Sequence, residues 1–400
     1  MSRSLVFRRS GRNHNALAAL AAALESSGGL GDLTVSVVDS LDAVPDDLAV
    51  LAYSFLTPDL ERVRDEVVEL RRLRGQGVVL VAGGAHASAD PGGTLALGFD
   101  AVFVGEGERS FPAFIQRMLE SGEVVRGRID PGPPIDLDDF DWDDARRGNF
   151  PFAEITRGCP HGCAFCQVPV LFGRRMRHRS PAAIARGVAR SAGAGHRRFR
   201  YLSSDAFAYR GAARDVEKSL TALLDASEAA GARQQLLGNF PAEVRPDRVT
   251  PELLALVRAR CFNRTLVIGA QSGSDRVLEL MHRGHDVETS RLAIALTVEA
   301  GLVPHVDILL CFPGEDASEQ GATLDLADWC IAVGARVHAH SYIPLPGTPS
   351  WPAPPEALTP STRSRLKGLE QRGALDGYWE QHIGMARKIL LWRRRGWIQV

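Results

Sequence analysis

Short apolar segments and longer amphipathic stretches alternate along the first third of the chain. Five segments have the length and apolar character of buried strands: residues 5–7, 33–38, 48–53, 78–81 and 101–104. Residues 15–24 and 59–74 have helical character, the first rich in alanine and the second with valine and leucine on one face. Strands that alternate with helices predict an α/β fold with a parallel, doubly wound sheet.

The same alternation resumes after a segment rich in proline, glycine and aspartate. That segment, residues 123–150, combines closely spaced prolines and glycines with an acidic run, which predicts a solvated linker. Six further segments of strand character follow: residues 152–156, 200–202, 235–239, 264–268, 305–310 and 337–342. Two helical stretches, residues 364–373 and 378–392, close the chain after a proline-rich turn.

The pattern predicts four successive parts of the chain. We expect a Rossmann-like domain at 1–122, a linker at 123–150, a barrel-like domain at 151–349 and a short helical extension at 350–400. In parallel α/β folds, the loops that follow the carboxyl ends of strands bind ligands. We therefore expect the ligand-binding residues to lie in those loops.

The composition narrows the class of protein only slightly. The 400 residues are 45% hydrophobic and 24% charged, with a formal net charge of −1, as in ordinary globular proteins. This balance gives no global electrostatic reason to expect binding to nucleic acid or to a membrane. No apolar run reaches transmembrane length, and residues 1–12 lack the apolar core of a signal peptide. We therefore expect a cytoplasmic protein, in a reducing compartment that suits free thiolates.

The most specific chemical feature is a triplet of cysteines after the first strand of the barrel-like part. Cys159, Cys163 and Cys166 have the spacing C-x3-C-x2-C, with Phe165 before the last cysteine. An iron–sulfur cubane normally takes four thiolates, so a triplet leaves one iron without a protein ligand. An open metal position is typical of a site that binds substrate rather than one that only supports the fold.

Two other interpretations of the cysteines compete with a cluster. A structural zinc site would need a fourth cysteine or histidine at suitable spacing, and His161 lies inside the loop with no second C-x2-C after it. A disulfide framework is not expected in a long chain with six cysteines and no secretion signal. The remaining cysteines, Cys261, Cys311 and Cys330, lie in apolar runs, which predicts core positions.

The triplet and its aromatic residue resemble the cysteine loop of the radical S-adenosylmethionine (SAM) superfamily. The resemblance implies a [4Fe–4S] cluster held by Cys159, Cys163 and Cys166, whose open iron chelates the amino and carboxylate groups of SAM. It also implies a partial (β/α)6 barrel and reductive cleavage of SAM to a 5′-deoxyadenosyl radical. An electron donor such as flavodoxin or ferredoxin is then an expected partner.

The same resemblance assigns SAM contacts to loops after successive barrel strands. One segment orients the methionine ammonium, a second supplies an acidic and a basic contact, and a third resembles a Glu-Ser-Gly-Ser run with glutamine in place of glutamate. The residues at these positions are Ser204, Asp205, Glu243, Arg245, Gln271 and Ser272. Structural roles stay open: a turn or cap for Asp205, an exposed pair for Glu243 and Arg245, and a helix cap around Ser272.

Small residues at the strand ends of the first domain carry a second resemblance. The loops at 54–57, 83–88 and 105–108 look like those of the cobalamin-binding domain of one branch of the superfamily. The contacts that this implies are Ser54, Thr57, Gly83, Gly84, Gly105, Glu106 and Gly107. The motif Asp-x-His-x-x-Gly, which supplies a histidine to cobalt, is absent, so we expect no protein histidine on cobalt. A Rossmann-like domain that binds nothing is the alternative.

Together the two resemblances point to an uncharacterised group of cobalamin-type radical SAM proteins, first noted in archaea. Such a protein is expected to transfer a methyl group to an unactivated carbon of a substrate that the sequence does not specify. Radical rearrangement or cyclisation is one alternative, and sulfur insertion, which would need a second set of cluster ligands, is another. A non-catalytic electron-transfer protein is a third, against which the open cluster position argues.

Two features near the carboxyl terminus have open interpretations. His338 and His340 alternate along a strand and share a face, where they could contact substrate or form a packed pair. Residues 391–397 mix arginine with Trp392 and Trp397. These could stack on an anionic substrate, but a solvated helix end with a docked tryptophan is the favoured interpretation.

Overall fold

The chain divides into two units in the computed structural model, which describes residues 3–28, 33–210 and 216–400. The first unit comprises Met1–Pro151, Gln167–Gly173 and Ile389–Val400. The second comprises Phe152–Cys166 and Arg174–Lys388. Each unit therefore contains pieces that are separated along the chain. Among the described residues, no helix has both the length and the apolar character needed to cross a membrane.

The first unit contains the predicted doubly wound sheet. Its strands are β1 (Arg3–Arg8), β2 (Leu33–Val38), β3 (Leu48–Ser54), β4 (Val79–Gly83), β5 (Ala101–Phe103) and β6 (Gly127–Ile129). Its first helices are α1 (His14–Ser26), α2 (Leu60–Arg74), α3 (Gly84–Ala89), α4 (Pro91–Ala96) and α5 (Ser110–Ser121). All strands are parallel, in the order β2-β1-β3-β4-β5-β6. The short helices α3 and α4 and the helix α5 are elements that the pattern did not indicate.

The hydrophobic pattern explains how this sheet is covered. In α2, Leu60, Val63, Val67 and Leu70 are buried at helical spacing, and the helix ends at Arg74, before Gly75 with its positive φ of +58°. On the sheet, Leu5 and Phe7 of β1 and Val50 of β3 belong to one core that also takes in residues of α1 and α5. The strand order reverses between β1 and β3, where such folds bind ligands beyond the carboxyl ends of the strands.

The predicted linker is a structural part of the first unit. Gly127–Ile129 forms β6, which pairs in parallel with β5, although proline and glycine surround it. Ile135, Leu137 and Trp142 are at most 3% exposed. The expectation of a solvated connector is therefore wrong for these positions, because the apolar side chains between the acidic residues are enough to hold the segment in place.

Nine strands are found among the described residues of the second unit. They are β7 (Ala153–Glu154), β8 (Thr156–Arg157), β9 (Arg177–His178), β10 (Arg198–Leu202), β11 (Gln234–Leu236), β12 (Thr265–Gln271), β13 (Val303–Leu310), β14 (Arg336–Ser341) and β15 (Leu375–Gly377). The helices after α5 are α6 (Val168–Phe172), α7 (Pro181–Gly193), α8 (Val216–Ala229), α9 (Pro251–Arg260), α10 (Asp275–Leu280), α11 (Val287–Glu299), α12 (Ala317–Ala332), α13 (Pro360–Gln371) and α14 (Trp379–Arg394). Of these, α6 belongs to the first unit.

Parallel strands form the framework of the second unit. One sheet has the order β11-β10-β7 and another the order β12-β13-β14-β15, and a parallel bridge from Val244 to Ile268 connects the chain beyond β11 to β12. The predicted first strand is split into β7 and β8, and β8 pairs antiparallel with β9. The six predicted barrel strands are present, and β15 adds a seventh parallel strand that the sequence pattern did not indicate.

The carboxyl-terminal extension contains the helices α13 and α14 with the strand β15 between them, and residues 353–359 before α13 form neither helix nor strand. Trp379 and Trp392 of α14 are each 1% exposed. Within the first unit, Trp392 stacks on Trp397 with ring centroids 6.4 Å apart, and the Arg64 guanidinium lies 4.2 Å from the Trp397 ring. The docked-tryptophan interpretation of residues 391–397 is confirmed, because these rings contact the protein's own side chains.

Candidate active site

The cysteine loop follows β8 and is fixed at its centre by two distant segments. Cys163 and Ala164 are buried, and the backbone N–H of Ala164 donates to the carbonyl of Met281 at 2.9 Å. The hydroxyl of Ser350 donates to the Ala164 carbonyl at 2.7 Å. The N–H of Cys166 donates to the carbonyl of Cys163 at 3.0 Å, which turns the chain between these two cysteines. The loop is therefore held in place by hydrogen bonds of its backbone.

The donor set of this loop fits an iron–sulfur cluster. Cys159, Cys163 and Cys166 are all free thiols. Within the described residues, no three histidine, cysteine, aspartate or glutamate side chains converge closely enough for one metal ion. A cubane takes each thiolate on a different iron, so its ligands surround a volume rather than a point. Burial, the largest cause, raises the pKa of Cys159, and this cost is offset when a metal binds the thiolate.

Asp205 is a buried carboxylate, and neither of its oxygens has a hydrogen-bond partner within the part of the chain that the structure describes. It is 0% exposed, and the Nε of Arg248 lies 4.0 Å from its Oδ2. Burial raises the pKa of Asp205 to about 6, against the lowering effects of Arg245 and Arg248. The preceding residue, Ser204, bonds the carbonyl of Gly158, the residue before Cys159, so Asp205 lies beside the cysteine loop. An unsatisfied buried carboxylate beside the cysteine loop fits the ammonium of SAM.

Ser204, the neighbour of Asp205, contacts the start of the cysteine loop. Its hydroxyl donates to the Gly158 carbonyl at 2.8 Å, and the hydroxyls of Ser203 and Thr156 lie 2.7 Å apart. These bonds connect the loop after β10 to the end of β8. Asp205 does not cap the short 3-10 turn that follows it, because no side-chain cap bond forms there.

Arg245 is buried and largely committed to protein partners. It is 5% exposed; its Nε donates to Asp247 at 2.9 Å and its Nη2 donates to the Arg283 carbonyl at 2.6 Å. The Nη1 atom has no hydrogen-bond partner among the residues that the structure describes. Because Glu243 is exposed and Arg245 is buried, the alternative of an exposed pair is wrong. The Nη1 amino group of Arg245, rather than a fork of two nitrogens, remains for a ligand.

Glu243 and Gln271 converge above Gly269 of β12. A Cβ atom at residue 269 would lie 2.8 Å from the Oε2 of Glu243, 2.9 Å from the Nε2 of Gln271 and 3.1 Å from the Nη2 of Arg283. Gln271 has a left-handed backbone with φ +71°, at a point where the register with β13 shifts. The missing side chain of the glycine thus lets a carboxylate, an amide and a guanidinium come together against the backbone of β12, and their ends form a mixed polar surface of the kind that SAM would need.

Ser272 does not join this group. Its hydroxyl lies 3.1 Å from that of Thr323 on α12, and Ser272 is 0% exposed. Ser274 is the N-cap of α10, with its side chain accepting from the N–H of Val277. The helix-cap alternative therefore holds for Ser274, and Ser272 supports the packing of α12 against this turn.

Aromatic rings line the face of β14 that carries His338 and His340. The rings of His338 and His340 have centroids 4.6 Å apart, and His340 stacks on His382 at 5.2 Å with an angle of 12°. Tyr378 contacts both His338 and His382. We call His338, His340, Tyr378 and His382 the imidazole wall. Its rings contact one another, and Tyr378 is still 57% exposed, so the wall is not a closed core pair.

Carboxylates accompany the imidazole wall. Asp376 of β15 bonds the Nδ1 of His338, and Asp307 of β13 is in register with His338. Burial, with further contributions from Glu243 and Asp376, raises the pKa of Asp307 well above its usual value. Burial lowers the pKa of His340 to about 3, so this imidazole is neutral. The neighbourhood combines hydrogen-bond acceptors with aromatic faces.

In the first unit, the predicted cobalamin loops lie at the carboxyl ends of the adjacent strands β3, β4 and β5. Ser54 and Thr57 are buried, and the Oγ1 of Thr57 lies 3.1 Å from the Nδ1 of His86. His86 is 0% exposed, its Nε2 has no partner, and burial lowers its pKa to about 3. Because His86 is enclosed and its Nδ1 faces Thr57, we expect it to make no bond to cobalt.

The glycines at this edge make close backbone contacts. Gly84 has φ +89°, and a Cβ there would lie 2.8 Å from the N atom of Phe55. Gly83 and Gly105 remain partly exposed, and the Gly105 N–H donates to Ser88 at 2.9 Å. Glu106 and Gly107, two of the predicted cobalamin contacts, are in contact with other parts of the protein. Glu106 accepts a hydrogen bond from the Ile135 N–H at 3.2 Å, and a Cβ on Gly107 would lie 2.9 Å from Leu20.

Sequence reasoning missed three parts of the candidate site. Gly269 is one, and a glycine inside a strand pattern is a signal of close approach that could have indicated it. Arg283 is another, and it lies after α10 in a loop without a recognisable pattern. The third is the group formed by Asp307, Asp376 and Tyr378, which no motif connects and which only the pairing of β13, β14 and β15 brings together.

Comparisons with known proteins agree with the two-part organisation. A family model of the radical SAM superfamily matches residues 153–327, and a model of the B12 binding domain matches residues 14–115. An uncharacterized methyltransferase of Synechocystis sp. is 27% identical over 270 residues, which cover 65% of this chain and 48% of that protein. The tRNA-2-methylthio-N(6)-dimethylallyladenosine synthase of Magnetococcus marinus is 30% identical over 329 residues, which cover 78% of this chain and 71% of that protein.

Solved structures share the fold over most of the chain. The radical S-adenosylmethionine methyltransferase TsrM from Kitasatospora setae, solved with tryptophan substrate and a SAM analog, has a TM-score of 0.66 at 17% identity, covering 88% of this chain and 75% of TsrM. The cobalamin-dependent S-adenosylmethionine radical enzyme OxsB has a TM-score of 0.57 at 14% identity, covering 81% of this chain and 52% of OxsB. The chain spans about half the length of OxsB and of the cyanobacterial relative.

Proposed function

Because the chain belongs to the radical SAM superfamily and carries a B12-binding domain, we propose that it is a cobalamin-dependent radical SAM methyltransferase. Membership brings a [4Fe–4S] cluster and SAM as cofactors, and the B12-binding domain brings cobalamin. The proposed reaction transfers a methyl group to an unactivated carbon of a small-molecule substrate. When bound, these cofactors supply the radical and the methyl group, and the protein supplies binding and orientation.

The observation that carries the proposal is the buried carboxylate of Asp205 beside the cysteine loop, which receives no hydrogen bond from the described residues and has only a long ion pair with Arg248. Leaving both oxygens of a buried carboxylate without hydrogen bonds is costly unless a ligand satisfies them. SAM presents an ammonium and a sulfonium, which would offset this cost. In the same region, the Nη1 of Arg245 would donate to the SAM carboxylate, and the side-chain ends of Glu243 and Gln271 over Gly269 would contact another polar part of SAM.

The protein's own residues have separable roles in this proposal. Cys159, Cys163 and Cys166 would hold three irons of the cluster and leave the fourth for SAM. Gly83, Gly84 and Gly105 would let the backbone of the first unit approach the cobalamin ring closely. The imidazole wall would contact the substrate through ring faces and neutral nitrogens.

Sulfur insertion is the strongest competing activity, because the Magnetococcus marinus relative is named as a methylthio-forming tRNA synthase. Insertion of sulfur would normally use a second cluster. Burial raises the pKa of Cys261, Cys311 and Cys330 to about 12, so their thiols stay protonated. Among the described side chains these three do not form a metal-binding group. Radical rearrangement or cyclisation remains an alternative outcome of the same chemistry.

Reductive cleavage of SAM requires an external electron, so the proposal includes a reductant. A small redox protein such as flavodoxin or ferredoxin is the proposed donor. We also propose a cytoplasmic location, because an oxygen-labile cluster on free thiolates needs a reducing compartment. An electron-relay role without catalysis is disfavoured, since the three-thiolate loop leaves one iron open.

The experiment that tests the function uses the full chain, reconstituted anaerobically with iron, sulfide and cobalamin. The protein receives SAM labelled in its methyl group, a one-electron reductant, and either the small molecules or the total RNA of a cell extract. Mass spectrometry should show 5′-deoxyadenosine, S-adenosylhomocysteine and a labelled methyl group on a small molecule, with Cys163→Ala as the inactive control. A methylthio group on RNA, or SAM cleavage without label transfer, would overturn methyl transfer to carbon in a small molecule.

A further inference from the structure

The guanidinium of Arg283 makes a hydrogen bond to one cysteine of the triplet, Cys163. Its Nη1 donates to the Sγ of Cys163 at 3.3 Å, and both residues are at most 7% exposed. Its Nη2 donates to the Gly269 carbonyl at 2.6 Å, and its Nε to the Nε2 of His285 at 3.3 Å. The guanidinium is therefore fixed by three contacts, one of which is the sulfur.

The local fold explains why this arginine reaches the sulfur. Helix α10 ends at Leu280, and His282 has a left-handed backbone with φ +55°. This reversal lets the Arg283 N–H donate to the Leu278 carbonyl at 2.9 Å, as in a helix-terminating motif. The Met281 carbonyl accepts from Ala164, the residue next to Cys163. The same turn therefore positions the cysteine loop and delivers the guanidinium to it.

A second arginine secures the backbone of this turn. The Nη2 of Arg245 donates to the Arg283 carbonyl at 2.6 Å. A lysine at position 283 would carry the charge but could not make three bonds from one rigid fork. Together these hydrogen bonds fix a positive charge next to the sulfur of Cys163.

We propose that Arg283 is a positioning residue that raises the reduction potential of the cluster through its N–H···S bond to Cys163. Reduction adds one electron from an external low-potential donor to the cluster and makes it more negative. A buried cation at a ligand sulfur stabilises the reduced form more than the oxidised form. The inference rests on the cluster assignment in the proposed function, but not on methyl transfer.

The test is a potentiometric titration of the reconstituted full chain without SAM, cobalamin or substrate. Dithionite sets the potential, and the electron paramagnetic resonance signal of the reduced cluster reports the ratio of reduced to oxidised cluster. In Arg283→Met we expect this ratio to fall about tenfold at a fixed potential, equivalent to a shift of about −59 mV for one electron. The reduction potential of Arg283→Lys should lie between those of Arg283→Met and the wild type. The iron content of the two variants should equal that of the wild type.

Arg276→Met is the matched control. It removes a guanidinium from the nearby helix α10, where its partners are Glu319 and the Gly314 carbonyl, and its midpoint should equal that of the wild type. If Arg283→Met does not retain iron, the reduction potentials of two other variants are compared. Arg283→Gln keeps neutral N–H donors and Arg283→Lys keeps the charge, so the pair shows whether hydrogen bonding or charge raises the potential. Equal midpoints in the wild type and in every iron-loaded Arg283 variant would overturn the proposal.

The outcome is separable from that of the proposed function. A wild-type chain that forms no cluster would refute the cluster assignment before Arg283 is tested. A cluster with the expected potentials but no methyl transfer would refute the function and leave the role of Arg283 standing.

Discussion

The Nδ1 atom of His338 bonds the carboxylate of Asp376, which joins β14 to β15 through side chains as well as backbone. The two residues are directly opposite each other in the parallel register. An aspartate on Nδ1 fixes the ring orientation and leaves the Nε2 atom to interact with another group. His338 is thus the best oriented member of the imidazole wall.

This relationship predicts a substrate role for His338 that is independent of the cluster. His338→Ala should retain iron, SAM binding and SAM cleavage but lose most of the labelled methyl product, because the substrate loses its oriented partner. Asp376→Asn should give a smaller loss, since it weakens the orientation and keeps the ring. Exposed Glu370→Gln serves as the control in the same assay. Loss of iron or of SAM cleavage in His338→Ala would instead indicate a structural role.

The three cysteines are predicted to be individually essential for the cluster. Replacing Cys159, Cys163 or Cys166 by alanine should abolish the broad visible absorption of the reconstituted protein, its iron content and all SAM cleavage, because each thiolate holds one iron. Cys261→Ala is the control, since burial keeps that thiol protonated and it is expected to bind no iron. Full iron content in the triple alanine variant would contradict the assignment.

Asp205 predicts a pH dependence of SAM affinity. Its pKa in the folded protein is about 6, raised by burial, so the carboxylate is neutral below that pH and charged above it. SAM binding to the reconstituted protein should weaken as the pH falls through about 6 and level off above it. Asp205→Asn should bind SAM weakly at every pH. Titrations between pH 5 and about 8 distinguish this from a flat profile in the wild type, which would remove Asp205 from the site.

The same carboxylate gives a prediction for stability without ligand. Because the folded protein has the higher pKa, the contribution of Asp205 to stability is fully present below the ordinary aspartate pKa of 3.8 and is lost as the pH rises through about 6. The free energy of unfolding of the SAM-free protein should therefore decrease over this interval relative to Asp205→Asn. Denaturant unfolding at several pH values measures it, and saturating SAM should reduce the difference. Parallel pH profiles for the two proteins would contradict the prediction.

His86 is predicted not to bind cobalt. Cobalamin bound to the first unit should show the same optical and paramagnetic spectra in the wild type and in His86→Ala, because the imidazole is enclosed and its Nδ1 faces Thr57. The variant should still be less stable, since it removes a buried ring that packs against Phe55. Nitrogen hyperfine splitting that disappears in His86→Ala would show that the histidine does bind cobalt.

Arg245 is predicted to contribute one hydrogen bond to SAM rather than two. Arg245→Lys should weaken SAM binding by about 1–3 kcal/mol, since it removes the free Nη1 donor and the bond that supports Arg283. Iron content, measured on the same sample, should not change. Arg258→Lys on the exposed side of α9 is the matched control. An unchanged SAM affinity would place Arg245 among structural residues only.

Regular apolar segments made most of the framework predictable from sequence. The segment at 33–38 coincides with β2, and the end of α2 falls at Arg74, because buried valines and leucines recur at the period of the element. The strand β15 could not be predicted in this way. It has three residues, and its Gly377 has φ +130° with a Cβ position only 2.2 Å from the Ala339 carbonyl oxygen. A close contact of that kind leaves no hydrophobic pattern.

The candidate site was predictable where one short motif carries it and less so where the fold assembles it. The cysteine spacing and Asp205 each lie in one loop, so their chemistry is visible locally. Arg283 meets Cys163 across 120 positions of sequence, and no local pattern reports such a contact. Arg245 illustrates an intermediate case: its position in a loop was informative, but its commitment to Asp247 and Arg283 depends on the turn after α10.

The first unit is assembled from three separate stretches of chain. Helix α6, a few residues after Cys166, packs against α3, and the N–H of Gln399 donates to Asp90 at 2.9 Å. A fragment cut at Pro151 would lack both of these pieces of its own fold. Gene fusion or truncation at that boundary should therefore yield a poorly folded B12-binding module. For engineering, residues 1–151 cannot be transferred to another protein by themselves. A chimera that uses this unit would also have to include residues 167–173 and 389–400.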